Sequence, residues 1–289
     1  MALPEITSYA AVRGRWSELC GLDSESLTTA DETTFNRLFN RWARRGWNWF
    51  FWAVLTPVEE RYFRAEWAAG DYAADAEVRY GDPVVYYRAS VPCTAADVPG
   101  VSTSWEVISN LDAYIAYVQA GETPIGTFKS IHPSDPRGQR NPRKLPFVPD
   151  DRGAMLVGET VPTSVWVRYR LRCPEWTGAT YSASTAYAAG KTRYYASTTE
   201  GFEGDYWLTV AATDAGQSPE THPAKWSRIE IPKFLEEFAA HGAHLDWQRG
   251  EEQTSKAIAE ESPCWAWLYD ERDKEQNQGG NVRRVGFTR

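Results

Sequence analysis

An aromatic cassette that occurs twice constrains this sequence more than any other feature. Each copy combines tyrosines, a turn glycine and a closing tryptophan: Tyr80-Gly81-Asp82, Tyr86-Tyr87, Trp105 and Ile108 within residues 72–108, and Tyr187, Gly190, Tyr194-Tyr195, Tyr206-Trp207, Trp226 and Ile229 within residues 181–229. Repeated units of this length indicate that one supersecondary motif has been used twice. Short alternating apolar segments between turn residues predict two or three small strands in each copy, folded over one tryptophan.

The order of these residues resembles the small chitin-binding type of carbohydrate-binding module, in which a Tyr, Gly-Asp, Tyr hairpin precedes a Pro-rich loop and a closing Trp. Trp105 and Trp226 are expected to fill the cores of the cassettes, because so small a sheet has little else to bury. The resemblance implies that any glycan would bind to exposed aromatic side chains instead. The candidates are Tyr87, Tyr195, Tyr206 and Trp207.

Composition limits the classes of partner. The 289 residues suffice for two or three compact units, and 14 Trp and 15 Tyr favour small β cores and surfaces that contact other subunits. A net charge of −8 predicts no global attraction to nucleic acid or to an anionic membrane, although local basic patches stay possible.

Cysteine usage and the first residues indicate a protein made in the cytoplasm. Cys20, Cys93, Cys173 and Cys264 are widely spaced, which predicts reduced thiols. Residues 1–16 lack the pattern of a secretory signal, and the apolar stretch at 47–58 is too short to span a bilayer. No membrane partner is expected.

The N-terminal segment reads as two helices. Ser8 is a suitable N-cap and Gly21 a suitable stop for the first. Thr29 and Glu32 form a predicted capping box for the second, whose apolar face contains Phe35, Leu38, Phe39 and Trp42. The opposite face carries Arg37, Arg41, Arg44 and Arg45. Such a stripe either binds phosphate or an acidic protein, or is an ordinary solvated helix face.

The middle of the chain predicts β structure. From Val165 to Arg172, apolar and mostly basic side chains alternate, as in a strand with one buried face. The preceding loop at 133–144 is basic and interrupted by prolines, and it contains Arg137, Arg140, Arg143 and Lys144. It is either a partner contact or a solvated loop.

Helical patterns return towards the C-terminus. Pro232 is predicted in the first turn of one helix, another begins near Thr254, and Pro263 kinks or restarts it. The predicted fold class is α+β, a helical bundle built from the N- and C-terminal segments with inserted small antiparallel β units. The predicted segments are N-terminal helices at 1–66, a first cassette at 67–121, a β-rich middle at 122–175, a second cassette at 176–229, C-terminal helices at 230–276 and a flexible tail at 277–289.

Several segments resemble a group of tailed-bacteriophage virion proteins. They occur in the same order in both: Phe35 to Trp47, Val58-Glu59-Glu60-Arg61, Asp135-Pro136-Arg137, Leu145-Pro146-Phe147, Val165 to Arg170, the second cassette and Phe234 to Gln253. The resemblance implies a structural neck protein of the virion, a head-to-tail adaptor (connector) assembled in the host cytoplasm. It further implies an oligomeric ring, expected to be a dodecamer, that joins the portal to the tail or to a head-completion protein and transiently contacts packaged DNA.

The adaptor interpretation assigns binding roles to residues of the C-terminal tail and to basic residues elsewhere in the chain. Family adaptors insert a C-terminal segment into the portal ring, which makes Arg283, Arg284, Val285, Phe287 and Arg289 the candidate portal-binding residues. The candidate subunit or partner interface comprises Arg41, Arg44, Arg45, Arg137, Arg140, Arg143 and Lys144. The alternative function is a glycan-binding virion or accessory protein that uses the β cassettes.

Catalytic motifs are missing from the sequence. There is no Gly-x-Ser-x-Gly elbow, no phosphate-binding glycine loop and no His-Glu-x-x-His helix. His241 and His244 lie three residues apart on a predicted helix, a spacing that suits a metal but is more typical of a helix surface. The expectation is therefore a protein without enzymatic activity, catalytic residues, metal or cofactor, although sequence leaves open a glycosidase pair of carboxylates in the β region.

Overall fold

The computed structural model describes residues 5–158 and 161–278. This part of the chain is 29% helical and 24% strand. Its four helices are α1 (Tyr9–Cys20), α2 (Thr29–Trp49), α3 (Leu235–Gly250) and α4 (Thr254–Gln278). Its strands are β1 (Ile6–Thr7), β2 (Val58–Arg61), β3 (Glu77–Tyr80), β4 (Val85–Ala89), β5 (Trp105–Val107), β6 (Tyr114–Ala116), β7 (Ile125–His132), β8 (Phe147–Pro149), β9 (Gly153–Leu156), β10 (Val165–Leu171), β11 (Ala179–Thr180), β12 (Thr192–Tyr195), β13 (Asp205–Thr209), β14 (Trp226–Arg228) and β15 (Ile231–Pro232).

The chain divides into two compact units, one formed by residues 1–52 and 173–289 and the other by residues 53–172. We call them the helical unit and the β unit. The expected fold class, a helical bundle with small β inserts, is wrong. Helices do lie at both ends of the sequence, but the strands form five sheets and the β content is large. The β unit buries a core of its own, including Ile115, Ile131 and Tyr169, which the short, weakly periodic strands did not reveal.

The helical unit is organised around α3. Its neighbours α1, α2 and α4 all pack against it. Close approach of α2 to α3 depends on small residues, since a Cβ at Gly46 would collide with Leu235 and Phe238, and one at Gly242 with Trp42. The predicted apolar face of α2 is buried as expected.

Helix ends follow local chemistry, with two corrections. Ser8 caps α1 and Gly21 ends it with φ 67°, as predicted. The capping box of α2 is formed by Thr28 and Asp31, one residue earlier than the predicted pair. Pro232 belongs to β15, which pairs with β1, so α3 begins three residues later than predicted. Helix α4 continues through Pro263.

The β unit contains three sheets. Strand β10 is central to the order β2-β10-β7, and its predicted alternation is confirmed, because Val165, Val167 and Tyr169 are fully buried. The order β6-β9-β8 forms a second sheet, and β3-β4-β5 is the first aromatic cassette. The second cassette, β11-β12-β13-β14, lies in the helical unit.

The two cassettes share more than a strand pattern. In each, a tyrosine exchanges two backbone hydrogen bonds with a distant residue: Tyr72 with Cys93, and Tyr187 with Thr213. In each, the closing tryptophan donates its indole N–H to a loop carbonyl, Trp105 to Asp97 and Trp226 to Gln217. Both tryptophans are buried, as predicted. Tyr72 therefore occupies the position in the first cassette that Tyr187 occupies in the second.

Candidate functional site

A groove along α2 brings together the arginines that the sequence singled out. It has a volume of about 670 Å³. We call it the arginine groove, and its lining residues are Asn36, Arg37, Asn40, Arg41, Arg44, Arg45, Asn48, Glu175 and Thr177. All four arginines are exposed. They face one groove because residues three, four, seven and eight apart lie on the same side of a helix.

The far wall of the groove is fixed to α2 by Trp176. Its side chain is fully buried and packs against Phe39 and Trp47. Its backbone N–H donates to Asn40 Oδ1 at 2.9 Å, and its carbonyl accepts from Asn40 Nδ2 at 3.0 Å and from Asn36 Nδ2 at 2.6 Å. The flanking Glu175 and Thr177 are thereby held opposite the arginines.

The arginines differ in how they are paired. Arg41 lies 3.1 Å from the buried carboxylate of Asp246, which also accepts from the Trp42 indole and from Arg249. Arg44 pairs with Glu175 at 2.7 Å, where both side chains are more than half exposed. Such a pair contributes about 0–1 kcal/mol and is easily displaced.

The other two arginines make no ion pair among the described residues. Arg45 stacks on the Trp42 ring at 4.7 Å, and Arg37 is exposed to solvent. The groove therefore presents more positive than negative charge. An anionic ligand would find guanidinium donors already placed on a rigid helix.

The remaining basic candidates lie in the β unit. Arg137 pairs with Asp135 at 2.7 Å and stacks on the Trp166 ring. Arg140, Arg143 and Lys144 are exposed. The proposed role of these four residues in a partner interface stays a prediction.

The glycan candidates are mostly not available as open platforms. Tyr206 and Trp207 are 7% and 8% exposed, so the expectation that they are exposed is wrong. Trp207 is covered by the stacked ring of Phe202, 5.3 Å away. Tyr87 and Tyr195 are half-buried, and the Tyr195 hydroxyl donates to Glu220 at 2.9 Å. The prediction of exposed rings failed because the sequence of a short strand does not distinguish an aromatic side chain that fills a small core from one on the surface.

Residues 279–289, which contain the predicted portal-binding positions Arg283, Arg284, Val285, Phe287 and Arg289, lie outside the described residues. Their assignment stays a prediction. The helix α4 runs up to this segment.

A cysteine–histidine contact in the helical unit resembles a catalytic dyad. Cys20 Sγ lies 3.4 Å from His244 Nδ1. However, burial raises the pKa of the Cys20 thiol to about 12 and lowers the pKa of His244. Both groups are therefore neutral near pH 7, which does not favour a thiolate nucleophile.

The two histidines of α3, His241 and His244, do not share a metal site. His241 lies 3.3 Å from Glu237 rather than beside His244 in a shared site. Within residues 5–158 and 161–278, no group of three or more His, Cys, Asp and Glu side chains is arranged to hold a metal ion.

Sequence reasoning found the arginines of α2 but missed the opposite wall. Asn40 and Trp176 are 136 positions apart. No local pattern links them, because the contact arises only when the chain returns from the β unit. Asn36 and Asn40, each directly before an arginine, were the one available signal, since polar side chains on the border of an apolar helix face often bind a neighbouring backbone.

Comparison with protein-family models, curated proteins and solved structures finds no match for this chain. None of the helices in the described part of the chain has the length and apolar character needed to cross a membrane.

Proposed function

We propose that this protein is a structural virion protein of a tailed bacteriophage, a head-to-tail adaptor that forms a ring and joins the portal to the tail or to the next neck component. The proposal rests on the ordered sequence resemblance and on one structural observation about α4. We also propose that the protein acts by assembly and not by catalysis.

The observation concerns apolar side chains on the last helix. Helix α4 has 25 residues and packs against α3, yet Ile258 is 63% exposed, and Trp267 and Tyr269 are each 45% exposed. Large apolar and aromatic side chains on a charged helix are typical of surfaces that another protein covers. Ile258 and Tyr269 lie on one side of the helix and Trp267 on the other, and we infer that neighbouring subunits or the portal cover these side chains.

The composition of the helix surface supports the same inference. Trp49 and Arg272 lie beside Tyr269, with ring centroids 5.1 Å apart for the Trp49–Tyr269 pair and the Arg272 guanidinium 5.2 Å from the Tyr269 ring. Aromatic and arginine side chains together are the residue types that dominate binding energy at protein interfaces.

The test is the mass of the purified protein, measured by light scattering alone and after mixing with its portal. The expected result is a closed ring, with the dodecamer at about twelve times the 32.7 kDa chain mass, or ring formation on the portal. A chain that stays monomeric at all concentrations and in the presence of the portal would contradict the proposal.

The glycan-binding alternative has a separate test. The full-length protein is incubated with chitin or with peptidoglycan, and the fraction retained on each polymer measures glycan binding. Retention that disappears when Tyr87 and Tyr195 are both replaced by Ala, with the fold intact, would favour that alternative over the adaptor.

A further inference from the structure

The arginine groove has the geometry of a site for a linear polyanion. Arg37, Arg41 and Arg45 follow one another at intervals of four residues, so the helix places a guanidinium about every 6 Å along its axis. Arg44 adds a fourth beside the opposite wall. Regularly spaced, rigidly carried guanidinium groups suit a chain of regularly spaced anions.

The lining distinguishes between two kinds of anionic chain. None of the groove's lining residues is apolar. The centre of a protein–protein interface is depleted of charge and contains apolar or aromatic anchors. Interfaces with nucleic acid are instead polar and strongly positive, and their affinity comes from arginine–phosphate contacts. The lining therefore favours a phosphodiester backbone over an acidic protein segment.

The groove also continues beyond the arginines. At Asn36 and Thr177 it meets a second depression of about 370 Å³ between α1, α2 and the β11 edge of the second cassette. The second depression is lined by Tyr194, by other mostly polar side chains and by Arg13, which pairs with Glu32 at 2.8 Å. A strand several nucleotides long has room along this path.

Glu175 acts as an internal competitor for the ligand. Its carboxylate occupies Arg44 at 2.7 Å, and it is 63% exposed on the wall of the groove. A phosphate oxygen would replace it on the same guanidinium at little cost, since the exposed pair is weak.

We propose that the arginine groove binds the phosphodiester backbone of nucleic acid, without base specificity. The net charge of −8 repels nucleic acid from the rest of the surface, which confines binding to this face. This inference is independent of ring formation. It is tested on the protein in solution, whereas the adaptor proposal is tested by mass and by portal binding.

The experiment is fluorescence anisotropy of the full-length protein with labelled single-stranded DNA, duplex DNA, single-stranded RNA and polyglutamate, over a range of salt concentrations. The informative variant is Arg37→Gln/Arg44→Gln, because Arg37 has no ion pair among the described residues and Arg44 has only an exposed one. The slope of log binding constant against log salt should fall in magnitude by about 2. Affinity at low salt should fall on the order of 100-fold.

Two further variants sharpen the test. Glu175→Gln removes the competing carboxylate and should tighten binding about 3- to 10-fold, a gain that damage to the fold would not produce. Arg88→Gln/Arg152→Gln makes the same charge change at exposed arginines of the β unit that lie outside the candidate partner interface, and it should leave binding nearly unchanged.

The outcomes separate the ligand sources. Binding of DNA or RNA with these effects supports the proposal, and the ratio between strands and duplex identifies the preferred form. The proposal is overturned if no nucleic acid binds at low salt, if polyglutamate binds as tightly as DNA, or if the β-unit control loses binding while the groove variant retains it.

Discussion

Asp205 is a buried carboxylate that ties the first helix to the second cassette. It is 1% exposed, accepts the Tyr9 backbone N–H at 2.8 Å and lies 2.7 Å from Arg228. Burial raises the pKa of Asp205 from 3.8 to about 6, against the opposing effects of the Tyr9 N–H and Arg228. Ionised Asp205 is therefore less favourable in the folded protein than in the unfolded chain.

This residue makes stability depend on pH in a defined direction. Because the folded protein binds the proton more tightly, the contribution of Asp205 is complete below about pH 4 and is lost as pH rises through about 6. The shift of about two pKa units corresponds to about 3 kcal/mol. We expect the free energy of unfolding of the native protein, relative to Asp205→Asn, to fall by about that amount between about pH 4 and pH 7. Denaturant titrations at both pH values measure it, and a difference that stays constant with pH would contradict the argument.

At the scale of elements, the closing tryptophans are expected to hold the cassettes together. Trp105 is 6% exposed and Trp226 is 5% exposed, and each donates an indole hydrogen bond. Replacing either with Ala should cost about 3 to 5 kcal/mol and disrupt its sheet. Near-UV circular dichroism and thermal melting measure the loss, with Trp→Phe at the same positions as a milder control. A fully folded Ala variant that has lost glycan binding would instead support a lectin role.

The turns that follow Tyr72 and Tyr187 offer a second test of whether the two cassettes are structural repeats. Three residues after Tyr72, Asp75 has φ 65° and donates its N–H to Ala89; three residues after Tyr187, Gly190 has φ 81° and donates to Thr209. Glycine adopts this left-handed conformation without strain, and Asp tolerates it better than most other residues do.

The two turns should therefore respond in opposite directions. Gly190→Ala should destabilise the protein by about 1 to 2 kcal/mol, although the added methyl group meets open space, because the cost is conformational. Asp75→Gly should be neutral or stabilising by up to about 1 kcal/mol. Thermal unfolding of both variants provides the measurement. If Asp75→Gly destabilised the protein as much as Gly190→Ala does, the two positions would not have the same conformational requirement.

These elements also show what sequence could and could not predict. Helix faces, Ser8, Gly21, the alternation in β10 and the buried closing tryptophans follow from local periodicity and capping chemistry, and all were predicted correctly. In the first cassette Asp75 stands where the second cassette has Gly190, so no glycine marks that turn in the sequence. The wall of the arginine groove depends on a contact between Asn40 and Trp176, and local patterns do not encode such distant pairs.

At the scale of the whole molecule, the exposed apolar side chains of α4 are expected to govern assembly. Ile258→Glu places a charge on a side chain that is 63% exposed, so the fold and the melting temperature should change little. Trp267→Glu and Tyr269→Glu also remove ring contacts to His241 and Trp49, so a modest fall in melting temperature is expected for these two variants. In a ring, however, each charge would be buried against a neighbouring subunit or the portal, which costs several kcal/mol per contact. We expect these variants to be folded but monomeric and unable to attach to the portal. Ala259→Glu, at an exposed position about 100° round the helix from Ile258, serves as the control and should assemble. Light scattering and portal co-sedimentation distinguish the cases, and normal rings formed by the combined variant would place the subunit contact elsewhere.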